Sequence, residues 1–418
     1  MASSFLAPAC RASAECPAGA GRFLQPRPGC LRRGLLKMTA LTSPRVPTAY
    51  LNMAGSGPVS DEVLAATTTY LKIEQQVGAY DTELDHHVEL DERVYENLGT
   101  LLGCVAADIA IFDNATRAWT EVVSRLSFKG ARRILTTEYE YAGNLQYLKD
   151  LSEREGLELI TIPCTDKGEI DLEWLQSNMG NDVGLVSVVH VPSCCGIINP
   201  VATIGEILSG YQAVYIVDAC QAVGQVQIDV HATGCDVLTG AGRKFLCGPR
   251  GTGFAFVSAQ LRARMSPGFV DLHLSDIKAD GRIEKDMGNA RFLEMGERNC
   301  GAIIGLSRAI EEALHGGDRL NDGIFRIREG VSALEGVIPI DPGRNRGGIF
   351  SFRHKKIPAE EVVRNLREHR IAAWRIKGSH TPLYMLPRGH IEGVRLSSNK
   401  ITVEHADLVV AALKDMLA

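Results

Sequence analysis

The sequence predicts an α/β protein: a large domain built on a mainly parallel seven-stranded sheet, followed by a small C-terminal α/β domain. Short apolar runs alternate with helix-like segments after residue 100, the pattern of strands joined by crossover helices. The 42 glycines suit many tight strand-to-helix turns. Run after run, a polar or aromatic group follows the last apolar residue, where a parallel sheet gathers its functional side chains.

The elements follow in order. Ile109–Phe112 reads as a strand and leads into a helix through Trp119, Val122, Val123 and Leu126. Arg133–Thr136 is a strand, Asn144–Glu155 a helix, and Leu157–Pro163 a strand. Leu172–Met179 is a helix, Gly184–Val191 a strand, Val201–Leu208 a helix and Tyr211–Val217 a buried strand. Gly253–Val257 closes the series. After a helical stretch from Cys300 to about Leu334, the smaller unit shows strands at Gly348–Phe352, Ile371–Trp374 and Gly393–Leu396, with helices at Ala359–His369 and Thr402–Leu417. The expected division is 1–46 as an extension, 47–310 as an N-terminal arm with the large domain, and 311–418 as the small domain.

A chain of 418 residues with 45% hydrophobic content can bury two substantial cores. A net charge of −5 offers no electrostatic reason for nucleic acid or an anionic membrane as partner, and no run reaches the roughly 20 apolar residues of a membrane span. The expected partner is a small molecule. The 11 cysteines lack paired metal-ligand spacing, which suits reduced thiols, and no metal is expected. Adjacent Cys194 and Cys195 are read as buried small residues or as a redox pair. In the first 46 residues, Arg11, Arg22, Arg27, Arg32, Arg33, Lys37 and Arg45 face the single acid Glu15. That segment is either an organellar transit peptide or the product of an upstream start with Met38 as true initiator, so the expected location is cytoplasmic or organellar.

Asp218 ends one apolar run, and Lys244 follows the next in Gly240-Ala241-Gly242-Arg243-Lys244. A carboxylate and an amine so placed can meet across pyridoxal 5′-phosphate, whose aldehyde takes a lysine as a Schiff base and whose ring nitrogen stays protonated beside an anion. Asp113-Asn114-Ala115-Thr116 lies between strand and helix. There the amides of Ala115 and Thr116 and the Thr116 hydroxyl suit a phosphate, and a plain N-cap by Asn114 or Thr116 is the alternative. Tyr141 is an aromatic for the ring face, Asn144 starts a helix beside it, and Ser193 falls within reach of the ring hydroxyl. His86 and His87 sit in a polar helix-like stretch, either as a solvated face or at a site mouth.

The runs Asp218-Ala219-Cys220-Gln221-Ala222-Val223-Gly224, Gly242-Arg243-Lys244-Phe245-Leu246 and Gly248-Pro249-Arg250-Gly251-Thr252-Gly253-Phe254 resemble the class V aminotransferase family of fold-type I pyridoxal phosphate enzymes. That family holds cysteine desulfurases, selenocysteine lyases, isopenicillin N epimerases and the sulfoxide lyases of ergothioneine synthesis. The resemblance runs from about Tyr50 to the C-terminus and implies that Gly253–Val257 is the antiparallel strand of the sheet. It implies Lys244 as the cofactor-bonded lysine and the base at Cα, Asp218 at the ring nitrogen, Gln221 at the ring oxygen and Tyr141 stacked on the ring. It puts Asn144 in a matching place, Arg243 at the phosphate, and Gly296 and Glu297 on a loop that crosses to a neighbouring subunit, hence a homodimer. Arg395 matches the arginine that holds the substrate carboxylate; Arg375 is a second candidate.

Ala241 stands where many relatives place Ser or Thr. The segment Lys377–Leu383 aligns with the loop that carries the sulfur-accepting cysteine of desulfurases and contains none, which argues against a housekeeping desulfurase. The resemblance is strongest to the carbon–sulfur lyase branch near ergothioneine synthesis. The expected reaction is therefore β-elimination from a cysteine S-conjugate or sulfoxide, with His380 or Tyr141 supplying a proton to sulfur. An aminotransferase or epimerase of the same family is the alternative, and a catalytically idle relative that binds partners is a third reading.

Overall fold

The computed structural model describes residues 46–316 and 322–417; the expected extension at 1–46 lies, but for Val46, outside them. The large sheet contains β1 (Ile109–Phe112), β2 (Arg133–Thr137), β3 (Glu158–Ile162), β4 (Val183–Val189), β5 (Val214–Asp218), β6 (Val237–Ala241) and β7 (Gly253–Val257), in the spatial order β1-β7-β6-β5-β4-β2-β3. All run the same way except β7, which is antiparallel to both β1 and β6. The cause is the link 242–252, which contains no crossover helix; a return to parallel pairing needs a longer connection.

Alternation along the strands explains why they read as continuous apolar runs. Ile111, Leu135, Val186, Val188, Val217, Leu238 and Phe254 join one core, whereas Ala110, Ile134, Leu185, Ile216, Val237 and Ala255 join the core on the other face. Helix α1 (Asp61–Val77) is capped by the Ser60 hydroxyl, which accepts from the Val63 N–H at 3.1 Å. Helices α2 (Ala115–Val123), α3 (Ala142–Glu155), α4 (Leu172–Asn178) and α5 (Val201–Leu208) connect strands, and α6 (Cys300–His315) follows the sheet.

A second sheet has the order β8 (Val337–Pro339), β9 (Ile349–His354), β11 (Glu392–Ser397), β10 (Trp374–Lys377), with every pair antiparallel. Phe350, Phe352, Val394 and Leu396 bury one face against α7 (Asp322–Ser332), α8 (Ala359–Glu368) and α9 (Val403–Leu417) through Ile327, Val362 and Val409. The expected strand Ile371–Trp374 is divided. Ile371–Ala372 pairs in parallel with Ala49–Tyr50, and Trp374 begins β10. The N-terminal segment thereby forms a separate two-stranded sheet with Ile371–Ala372; a single parallel bridge from Asn52 to Ser397 ties it to β11, and the Ser397 hydroxyl accepts from the Ala54 N–H at 3.0 Å.

Arg328 of α7 is buried. Its Nε donates to Asp341 at 2.5 Å, and its Nη2 donates to the carbonyls of Gly347 (3.0 Å) and Ile349 (2.9 Å). The other Asp341 oxygen accepts from the Gly196 N–H at 2.9 Å, on the segment after β4. Breaking one side of a buried ion pair strands the other charge, so Arg328→Ala should cost about 3–5 kcal/mol in urea unfolding; a loss below about 1 kcal/mol would show that the pair is solvated.

Candidate active site

Five strands deliver side chains to one cavity at the carboxyl end of the sheet. Its wall includes Asn114, Ala115 and Thr116 after β1, Tyr141 and Asn144 after β2, Ser193 after β4, Asp218, Cys220 and Gln221 at β5, and Arg243 and Lys244 after β6. The lysine loop is pinned from outside, because the Gly57 N–H donates to the Arg243 carbonyl at 2.7 Å. A Cβ at residue 57 would stand 2.4 Å from the Lys244 carbonyl oxygen, so only glycine allows this approach.

Lys244 is half-buried, its remaining surface facing the cavity. Burial lowers the pKa of its amine. The cations Arg243 and Arg395 lower it further, while Cys220 and Asp218 oppose the shift. The neutral amine is the nucleophilic and basic form, so this environment favours what a reactive lysine needs.

Asp218 is buried and held by two donors: the Cys220 N–H reaches Oδ1 at 2.9 Å and Asn144 Nδ2 reaches Oδ2 at 3.0 Å. Asn144 Nδ2 also donates to Glu140 at 3.0 Å. Burial raises the Glu140 pKa; hydrogen bonds from Ser187, Thr136 and Asn144 oppose that effect, and the charge of Asp218 adds to it. Asn144 is therefore a buried link between two carboxylates rather than simply the start of a helix.

At the other end of the cavity, Asn114 caps α2 by accepting from the Arg117 N–H at 2.8 Å. The cap engages the third helical residue, and helix geometry leaves the first-turn N–H groups of Ala115 and Thr116 without intrahelical partners. The segment is thus capped by Asn114, and the cap leaves its first-turn N–H groups open as donors. Strand β7 lies flush against it, since a Cβ on Gly253 would come within 2.5 Å of the Ala115 nitrogen. Arg243 donates to the Gly55 carbonyl. Ala241 provides no hydroxyl, whereas Thr116 and Thr252 stand in the same wall.

Gln221 Nε2 donates to the Ala54 carbonyl at 3.1 Å, while its buried Oε1 has no partner. Arg395 is buried beside the cavity, donating to the Ser193 carbonyl at 2.9 Å and to Asn52 Oδ1 at 3.3 Å; its Nε has no partner. Burial lowers the Arg395 pKa to about 10, with the Arg243 charge contributing. His380 is exposed, and its pKa is lowered by partial burial and then by Arg395 and Lys377. Arg375 is not brought to the cavity: it pairs with Glu360 and, at 2.7 Å, with Glu392, carboxylates that satisfy it locally. Gly296 and Glu297 also lie outside it, along a neighbouring groove with Tyr70, Leu71 and Arg298.

Cys194 and Cys195 are buried free thiols with sulfurs 3.8 Å apart, which is too far for a bond. Nδ1 of His86 and of His87 each contacts a carbonyl of its own helical stretch, Thr82 and Leu84, at 2.8 Å. Among the described residues no group of three or more metal-ligating side chains occurs, and no helix is long and apolar enough to cross a membrane.

A basic half with free helix N–H groups, opposite a buried carboxylate, suits an anionic ring compound with a protonated nitrogen. The comparisons agree with that chemistry. Residues 49–407 match the model of the aminotransferase class-V family, and the chain belongs to that family. Its cofactor is accordingly pyridoxal 5′-phosphate. A probable cysteine desulfurase of Methanothermobacter thermautotrophicus is 27% identical over 335 residues, covering 76% of this chain and 81% of that one. The mitochondrial cysteine desulfurase of Drosophila melanogaster is 29% identical over 273 residues, or 63% of this chain and 55% of that one. The apo cysteine desulfurase of Thermococcus onnurineus NA1 shares the fold with a TM-score of 0.80 and 22% identity, over 88% of this chain and 94% of that one. The cystine C–S lyase C-DES, solved with its product cysteine persulfide, has a TM-score of 0.77 and 21% identity, over 88% and 97%.

Sequence reasoning overlooked Glu140, Asn52 and Thr252. Glu140 directly precedes Tyr141 in the sequence, but only the fold reveals that its carboxylate turns inward. His190, just past β4, is buried with Nδ1 unpartnered, and burial lowers its pKa to about 4. It stays neutral in the folded protein while the unfolded chain protonates near pH 6.5, so stability falls as pH drops from 6.5 toward 4. Between pH 7 and 5 this contributes a loss of about 2 kcal/mol, which His190→Gln should remove; comparing urea midpoints of both proteins at the two pH values checks it, and an equal loss in the variant would contradict it.

Proposed function

We propose that the chain is a carbon–sulfur lyase that eliminates sulfur from a cysteine S-conjugate or its sulfoxide. The observation that carries this reading is the segment Lys377–Leu383. It lies beside Arg395, has no thiol, and is folded into a 3-10 turn and a short helix at Pro382–Met385, with the Gly378 N–H donating to the Ile391 carbonyl at 2.7 Å. An enzyme that hands sulfur to its own cysteine needs a mobile thiolate there. One that releases sulfur to solvent does not. The fold accommodates either chemistry, since a cystine C–S lyase and a cysteine desulfurase both share it.

In this reading the first-turn amides of α2, Thr116 and Arg243 hold the cofactor phosphate, Asp218 faces the ring nitrogen, and Tyr141 flanks the ring. Gln221 Oε1 and Ser193 face the ring oxygen. Bound in this way, pyridoxal 5′-phosphate serves as the electron sink that makes the substrate Cα–H acidic. Arg395 holds the substrate carboxylate, and its fixed bonds to Ser193 and Asn52 orient the guanidinium before substrate arrives. Lys244 Nζ, kept toward neutrality, removes the Cα proton. The Cβ–S bond then breaks with its electron pair on sulfur, the sulfur takes a proton, and hydrolysis of the released enamine gives pyruvate and ammonia. Tyr141 is better placed than His380 to supply that sulfur proton, because it lines the cavity, whereas His380 is not part of the cavity wall and is held toward neutrality.

The large unit at 47–310 and the small unit at 311–418 would share this chemistry, the first supplying Lys244 and Asp218 and the second Arg395. A homodimer fits Gly296 and Glu297, which lie away from their own chain's cavity beside exposed Leu71, Tyr80 and Met295.

With cysteine S-conjugates, pyruvate should form in amounts well above enzyme, and Lys244→Ala should abolish it. Conversion of the cofactor to its amine form without net pyruvate would instead indicate an aminotransferase, and deuterium uptake at Cα without keto acid an epimerase. Arg395→Lys loses the bidentate hold and should reduce kcat/KM by about tenfold to a hundredfold, chiefly through KM; an unchanged KM would remove Arg395 from substrate binding.

A further inference from the structure

We infer that Glu140 is a positioning residue: it fixes the side-chain amide of Asn144 so that Asp218 is held ready to accept from the cofactor's ring nitrogen. The inference rests on the cofactor assignment and not on the lyase reaction.

Glu140 lies just past β2, yet its carboxylate turns back beneath the sheet ends and is fully buried. Four donors from three elements reach it. Oε2 accepts from the Thr136 hydroxyl of β2 at 2.8 Å and from the Ser187 hydroxyl of β4 at 2.7 Å; Oε1 accepts from the Tyr141 N–H at 2.9 Å and from Asn144 Nδ2 at 3.0 Å. A carboxylate buried so completely is destabilising unless its lone pairs are satisfied, and nothing in strand packing requires a charge here. What the arrangement achieves is specific to Asn144. Its nitrogen spends one hydrogen on Glu140 and one on Asp218 Oδ2. An amide free to turn could present oxygen to Asp218 instead; with carboxylates on both sides, the turned form sets its oxygen against two acceptors, so a single orientation survives. Asp218 then has one donor on each oxygen, Asn144 and the Cys220 N–H, and keeps acceptor capacity for the ring nitrogen.

Length and charge can be separated by substitution. In Glu140→Gln, Oε1 can still accept from Tyr141 and Asn144, and the new amide can donate to the Thr136 and Ser187 hydroxyls, which rotate to accept. Glu140→Asp keeps the charge but is one methylene too short to span from those hydroxyls to Asn144. The experiment measures pyridoxal 5′-phosphate dissociation from each variant, the pH dependence of the bound cofactor's absorbance, and the thermal unfolding of the cofactor-free proteins. The Gln variant should stay within about threefold of the parent affinity with the parent absorbance profile, and the Asp variant should weaken binding by about tenfold or more with a shifted profile. Adding Asn144→Ala to the Asp variant should cause little further loss, since both act through one bond. The opposite ranking, with Gln impaired and Asp intact, would show that charge and not position matters and would overturn the proposal. So would a fall in unfolding temperature with unchanged cofactor affinity and profile. If the Asp variant does not fold, Asn144→Ala alone decides: a loss of affinity smaller than about threefold overturns the proposal.

Discussion

The structure depends on keeping a lysine amine short of water and among cations while a carboxylate waits across the cavity. Burial and the neighbouring charges of Arg243 and Arg395 push Lys244 toward its neutral form, and few other arrangements make a lysine reactive near neutral pH. The cost is a concentration of positive charge on one side of the cavity. That charge and the helix N-terminus after β1 make the site receptive to phosphate and carboxylate groups. The same features that activate the amine therefore select the ligands.

Sheet topology makes this possible. Parallel strands β5 and β6 place Asp218 and the lysine loop side by side at their carboxyl ends. The absence of a crossover helix after β6 reverses β7, and β7 in turn braces the start of α2 through Gly253. The N-terminal segment closes the arrangement: it pairs with Ile371–Ala372, bridges to Ser397 of β11 through Asn52, bonds Gln221 through the Ala54 carbonyl, and meets the lysine loop at Gly57. Glu140 and Asn144 add rigidity behind Asp218.

Much of this was legible in the sequence because parallel strands buried on both faces leave unbroken apolar runs. Ile109–Phe112, Val201–Leu208 and Gly253–Val257 have the expected limits, and the other strands of the large sheet for which limits were expected shift by only a few residues. The lysine and aspartate segments were legible because their chemistry is concentrated in short runs. Failures arose where tertiary pairing decided the outcome. Ile371–Trp374 looks like one strand, but its halves find different partners; Val337–Pro339 is a short edge strand containing proline; and the hairpin of Ser275–Ile277 with Ile283–Lys285 is too polar to stand out. Arg375 sat in the right part of the chain, yet two local carboxylates hold it elsewhere. Glu140 was missed because an inward-turned carboxylate has no signature in sequence.

The central claim, that Lys244 bonds the cofactor in this cavity, is tested most directly by reducing the holoprotein with borohydride and mapping the modified peptide by mass spectrometry. The account predicts one pyridoxyl phosphate adduct per chain, on Lys244. A stoichiometric adduct on another lysine, or none in protein saturated with pyridoxal 5′-phosphate, would contradict it.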